Sequence, residues 1–127
     1  MNSQGNENCI LNILSFIYNL QQSATGGPGQ DNSCTQPMLG LNTNLNTRPV
    51  TLYLCNNTEL SIQYPGTTPT TPETSTIFRV EGINGSCVVV RLLTDDGGTI
   101  TSTGEFATIN TDCIAAIRCL PDVSITL

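Results

Sequence analysis

The chain has 127 residues, a formal net charge of −6, and no His, Lys or Trp. Charged residues make up 11% of it, against about 25% in an ordinary soluble domain. With only Arg48, Arg79, Arg91 and Arg118 as cations, there is no basic patch for nucleic acid and no attraction to an anionic membrane.

In chain order, residues 1–8 are polar and read as a flexible arm. Met1 to Glu7 carries no basic side chain, so it does not read as a secretory signal: either a signal has been removed or the protein is made in a cytoplasm. Ile10, Ile13, Leu14, Ile17 and Leu20 recur at helical spacing and predict an amphipathic helix over 9–23. Asn8 is its N-cap and Gly26-Gly27-Pro28 its stop. The apolar run from Cys9 to Leu20 is too short to span a bilayer and is interrupted by Asn12 and Asn19. An extended strand is the competing reading of this segment.

Residues 24–47 read as a long loop. Over residues 48–54, Val50, Leu52 and Leu54 alternate with Thr51 and Tyr53, a strand pattern, and residues 60–64 alternate likewise. Residues 65–75 form a Pro/Thr loop without packing residues. Strands follow at 76–83, 87–94, weakly 99–102, then 104–110, 113–120 and 123–127. The fold expected is mainly β: an antiparallel, jelly-roll-like β-sandwich with one N-terminal α-helix, residues 9–127 forming a single domain.

The hairpin around Asn84-Gly85 admits two registers. A two-residue Asn-Gly turn mixes apolar and polar positions on each face. A three-residue loop, Ile83-Asn84-Gly85 with Gly85 left-handed, puts Phe78, Val80, Val88, Val90 and Leu92 on one face. Arg79, Glu81, Cys87, Val89 and Arg91 take the other. A one-residue slip exchanges the faces, so the apolar pattern selects the second register.

The six cysteines are Cys9, Cys34, Cys55, Cys87, Cys113 and Cys119. Without a C-x-x-C pair or any His they suit neither a zinc site nor a redox motif, and all six are disulfide or cross-link candidates. Cys113 and Cys119 in one strand lie about 20 Å apart, at ~3.3 Å per residue, beyond the roughly 7 Å that a disulfide spans. Each needs a partner on another strand, the N-terminal segment or another molecule. Cys9, beside the flexible arm, is the first candidate for a bridge between molecules, with Cys113 and Cys119 next.

Catalytic equipment is missing from the pattern. A cysteine nucleophile lacks a histidine base, and the carboxylates are scattered. Asp95-Asp96-Gly97-Gly98 reads as a tight turn before it reads as a calcium loop. Asn56-Asn57-Thr58 and Asn84-Gly85-Ser86 match glycosylation acceptors by letter only. No enzyme activity, cofactor or metal is expected.

Phe16-Ile17-Tyr18-Asn19-Leu20-Gln21-Gln22-Ser23-Ala24-Thr25 resembles the N-terminal motif of the CotY/CotZ/ExsY family, cysteine-rich proteins of the spore outer coat and exosporium. So do Cys34 with Pro37-Met38-Leu39-Gly40, and Asn46-Thr47-Arg48-Pro49 followed by Leu52-Tyr53. The block Ile77-Phe78-Arg79-Val80-Glu81 with Cys87 and Arg91-Leu92 is similar too, as is Ala116-Ile117-Arg118-Cys119-Leu120-Pro121-Asp122-Val123. The resemblance implies a structural protein, made in the mother-cell cytoplasm without a signal peptide. It implies self-assembly into an ordered, disulfide-reinforced layer on the spore surface, with the chain itself and other coat proteins as partners. A spore appendage or other filament subunit, or a small β-sandwich adhesin or carbohydrate-binding module, is the alternative.

Overall fold

The computed structural model describes residues 8–23, 45–66 and 71–127. The expected arm, but for Asn8, and the loop up to residue 44 lie outside the described residues. Helix α1 spans Cys9–Ser23. The Leu11 N–H donates to Asn8 Oδ1 at 3.0 Å, so Asn8 is the N-cap and satisfies a donor that the first turn leaves open. Ile10, Leu14 and Ile17 form its buried stripe. Gln21 continues that stripe although it is polar.

Among the described residues, seven strands follow: β1 (Val50–Leu54), β2 (Ile62–Tyr64), β3 (Glu73–Ser75), β4 (Ile77–Asn84), β5 (Cys87–Asp96), β6 (Thr99–Asn110) and β7 (Ile114–Cys119). Five of them form one antiparallel sheet in the order β6-β5-β4-β1-β7, and β2 and β3 pair in a second. The chain is therefore mainly β and antiparallel with an N-terminal helix, as its patterning predicts. One apolar cluster joins Ile10, Leu14 and Ile17 of α1 to Val50, Leu52, Phe78, Val80, Val88, Val90 and Leu92 of the large sheet. Each such side chain contributes about 1.5–3 kcal/mol on burial.

The expected faces of the β4–β5 hairpin hold, but the turn that produces them differs. Asn84 pairs with Cys87 across a two-residue loop, Gly85-Ser86, in place of the three-residue loop. Gly85 is left-handed, with φ 63°, a conformation that glycine adopts without a Cβ penalty. Continued unchanged, that register would set Val80 against Arg91. A bulge at Glu81 inserts one residue between Val80 and Gly82, and Val80 meets Val90 while Phe78 meets Leu92.

Three further segments differ from the pattern. Residues 99–102 and 104–110 join into the single strand β6. Its ladder shifts where Phe106 faces Arg91 and Ser102 faces Leu93, and Gly104 turns the bulge at φ 82°. Glu73–Ser75, expected as loop, forms β3 because β2 supplies its partners; Ser75 is buried, and its hydroxyl donates to the Leu93 carbonyl at 2.7 Å. Residues 123–127, expected as a strand, make one isolated bridge, Val123 to Thr47.

Candidate functional site

The sheet face opposite α1 carries a polar network built from β4, β5 and the segment before β1. Arg79 and Arg91 face each other directly across β4–β5, a destabilising pairing if left alone. The Glu81 carboxylate resolves it. Its Oε2 accepts from Arg79 Nη1 at 2.6 Å and from Arg91 Nε at 2.8 Å. Glu81 is the bulge residue, so the irregularity that preserves the apolar face also places the counter-ion between two arginines. Arg79, itself buried, also donates from Nε to Thr47 Oγ1 at 2.9 Å and from Nη2 to the Asn46 carbonyl at 3.2 Å. Arg91 donates to Ser102 Oγ at 3.2 Å and lies 4.5 Å above the half-exposed Phe106 ring, a cation–π distance.

The same segment receives the C-terminal tail. The Asn46 amide donates to the Ile125 carbonyl at 2.9 Å and accepts from the Ile125 N–H at 3.2 Å. Thr47 and Val123 exchange backbone bonds. Arg48 pairs through Nε with Asp122 Oδ1, with side chains only 3% and 2% exposed. Gln21 ties this assembly to α1: its Nε2 donates to the Val80 carbonyl at 2.8 Å, and its Oε1 accepts from the Arg48 N–H at 3.1 Å. The Val80 carbonyl borders the bulge, where the ladder shifts, and Gln21 supplies its donor.

The cysteines separate by exposure. Cys9, Cys55, Cys87 and Cys113 are free and exposed. Cys119 is buried at 5% exposure and disulfide-bonded. Cys34 lies outside the described residues. Cys9 opens α1, and Cys87 opens β5 on the face away from α1. Cys113, expected in the same strand as Cys119, instead ends a 3-10 turn, Thr111–Cys113, before β7, while Cys119 ends β7, so they are not brought together. Cys55 and Cys113 are, at the end of the β1–β7 pair, where the Cys55 N–H donates to the Cys113 carbonyl at 3.2 Å.

A polar cleft beside β2–β3 is lined by Tyr64, Pro65, Gly66, Glu73, Thr94 and Thr103. The Tyr64 hydroxyl donates to Glu73 Oε1 at 3.0 Å. Burial, and then the adjoining carboxylate, raise the Tyr64 pKa above its ordinary value, which keeps the hydroxyl protonated. No group of three or more potential metal ligands occurs among the described residues, and none of their helices is long and apolar enough to cross a membrane. Asp95 Oδ1 accepts from the Gly98 N–H at 2.8 Å, a hydrogen bond that closes the β5–β6 turn.

No curated protein and no solved structure matches the chain. The family model for Spore coat protein Z matches residues 1–102. Gln21, Asn46, Thr47, Arg48, Arg79, Glu81 and Arg91, which make up most of the polar network, lie inside that span. Asp122, Val123 and Ile125 lie beyond it and complete the network by pairing with residues inside it. With four-fifths of its length matched, from Met1 to Ser102, the chain belongs to the spore coat protein Z family.

Proposed function

We propose that the protein is a structural subunit that assembles with copies of itself into an ordered layer of the spore surface, in the outer coat or exosporium. Thiol bridges between neighbours reinforce the layer. Family membership supports a structural coat role, and the observation that carries the finer reading is four free, exposed thiols among the described residues of a domain with very little surface charge. Weak charge repulsion lets like subunits pack closely. Among the described residues, strands β6 and β7 each have a strand neighbour on one side only, and such edges offer unpaired backbone groups to another chain. Synthesis in the mother-cell cytoplasm and contacts with other coat proteins belong to the same proposal. A structural role of this kind requires no catalysis.

Negative-stain electron microscopy of the purified protein, with and without reductant, tests the proposal. Ordered sheets, rings or fibres that loosen in reductant are the expected result. Dispersed monomers in both conditions would overturn self-assembly and favour a partner-dependent coat component or a binding module. Cys9→Ser should reduce the reductant-sensitive oligomers; unchanged oligomers would remove Cys9 from the contact.

A further inference from the structure

We propose that Cys55 and Cys113 form an intramolecular disulfide, a modification site that closes the open end of the β1–β7 pair. The register places them together. Leu54 is opposite Ile114, and Cys55 and Cys113 are the next residues outward on each side. Their backbones are hydrogen-bonded at 3.2 Å. Cys55 begins the turn after β1 and Cys113 ends the 3-10 turn Thr111–Cys113 that leads into β7; residues opposed through such a backbone bond have Cα atoms about 5.5 Å apart, within the ~4.4–6.8 Å range of disulfides. The Cys55 Sγ–H already contacts the Asp112 carbonyl at 3.9 Å, which holds the sulfur beside the peptide that begins Cys113. Both thiols are free and exposed, so an oxidant reaches them and no core side chain must move.

The chemistry balances with a small-molecule disulfide such as oxidised glutathione. One thiolate of the pair attacks the glutathione disulfide and releases one glutathione thiol. The second thiolate then attacks the mixed disulfide and releases the other. Two electrons pass from the cysteines to glutathione, and the two thiol protons end on its two molecules. The resulting bridge links the end of β1 to the start of β7 and encloses β2 to β6 in its loop. The inference does not depend on assembly. In an assembled layer it would leave Cys9 and Cys87, among the described cysteines, as the exposed thiols open to a neighbour.

The test treats reduced, dilute full-length protein with reduced and oxidised glutathione, alkylates the remaining thiols and maps the linked peptides by mass spectrometry. At ~0.1 mM glutathione, an effective concentration in the millimolar range gives about tenfold more Cys55–Cys113 bridge than glutathione adduct at either residue. Cys113→Ser should halt Cys55 at the mixed disulfide, and Cys55→Ser should do the same to Cys113. Adducts at both residues in the unsubstituted chain, or Cys55 and Cys113 linking between chains as readily as Cys9 and Cys87, would overturn the proposal. Sizing of the same samples reports assembly separately, so either idea can fail without the other.

Discussion

The two faces of the five-stranded sheet are held by different physics. Under α1, cohesion is non-directional: Leu14, Ile17, Leu52, Phe78, Val80 and Val90 leave water together, and many apolar sets of similar volume would serve. On the opposite face, Arg79 and Glu81 are held by bonds of fixed direction to Thr47, Asn46 and Arg91; Arg48, the next residue after Thr47, is held in the same directional way by Asp122. Each partner there is specified by chemistry as well as by size. The apolar face fixes which way the strands point. The polar face fixes how the segment at 46–49 and the tail at 120–125 dock on them.

The sharpest way to break the polar side is Arg48→Met. It strands Asp122, whose second oxygen is already buried without a partner. Removing one member of a buried pair costs about 3–5 kcal/mol, and we expect a loss of that size in urea denaturation. The double variant Arg48→Met/Asp122→Leu should regain most of it, because two apolar groups leave no charge behind. Leu14→Ala tests the apolar side, with an expected loss of about 3 kcal/mol from transfer and cavity terms. If Leu14→Ala proved much the costlier of the two, the polar network would be a positioning device with little share in stability.

The apolar side was largely legible in the sequence. Helical spacing found α1, Asn8 marked its cap, and alternation found β1, which begins two residues later than the pattern over 48–54. Parity identified the face bearing Phe78, Val80, Val88, Val90 and Leu92. It identified the face without the mechanism, because a bulge at Glu81 and a two-residue turn at Gly85-Ser86 combine to the same result. Strand β3 was invisible because Glu73-Thr74-Ser75 has no apolar alternation; pairing with β2 creates it. The polar network was present as motif letters from residue 16 to residue 123, but nothing local says that those letters meet. Gln21 left one signal, as the polar continuation of the stripe Ile10, Leu14, Ile17. The closeness of Cys55 and Cys113 depends on the β1–β7 register, which composition and spacing do not encode.

Gln21→Leu probes the seam between the two faces. It keeps the side chain's bulk while removing the donor to the Val80 carbonyl and the acceptor for the Arg48 N–H. An unmet buried polar group costs about 1–3 kcal/mol. We expect a loss of about 2 kcal/mol, with α1 retained by far-ultraviolet circular dichroism. A loss below about 0.5 kcal/mol, the scale of an ordinary surface change, would mean that the helix docks by its apolar stripe alone.

The smallest expected effect lies away from both faces, at Tyr64. Its pKa is raised in the folded protein, so the native state holds the hydroxyl proton more tightly than the unfolded chain does. The resulting stabilisation is complete below the unfolded value, about pH 10, and is lost as pH rises through the higher folded value. Tyr64→Phe should cost about 1 kcal/mol at neutral pH, the worth of one hydrogen bond. It should also flatten the alkaline decline, so that the two stability curves converge above pH ~10. Parallel curves from pH 8 to 11 would show that the Glu73 contact does not favour the protonated hydroxyl in the fold. The β2–β3 cleft would then be closed by strand pairing and the burial of Ser75 alone.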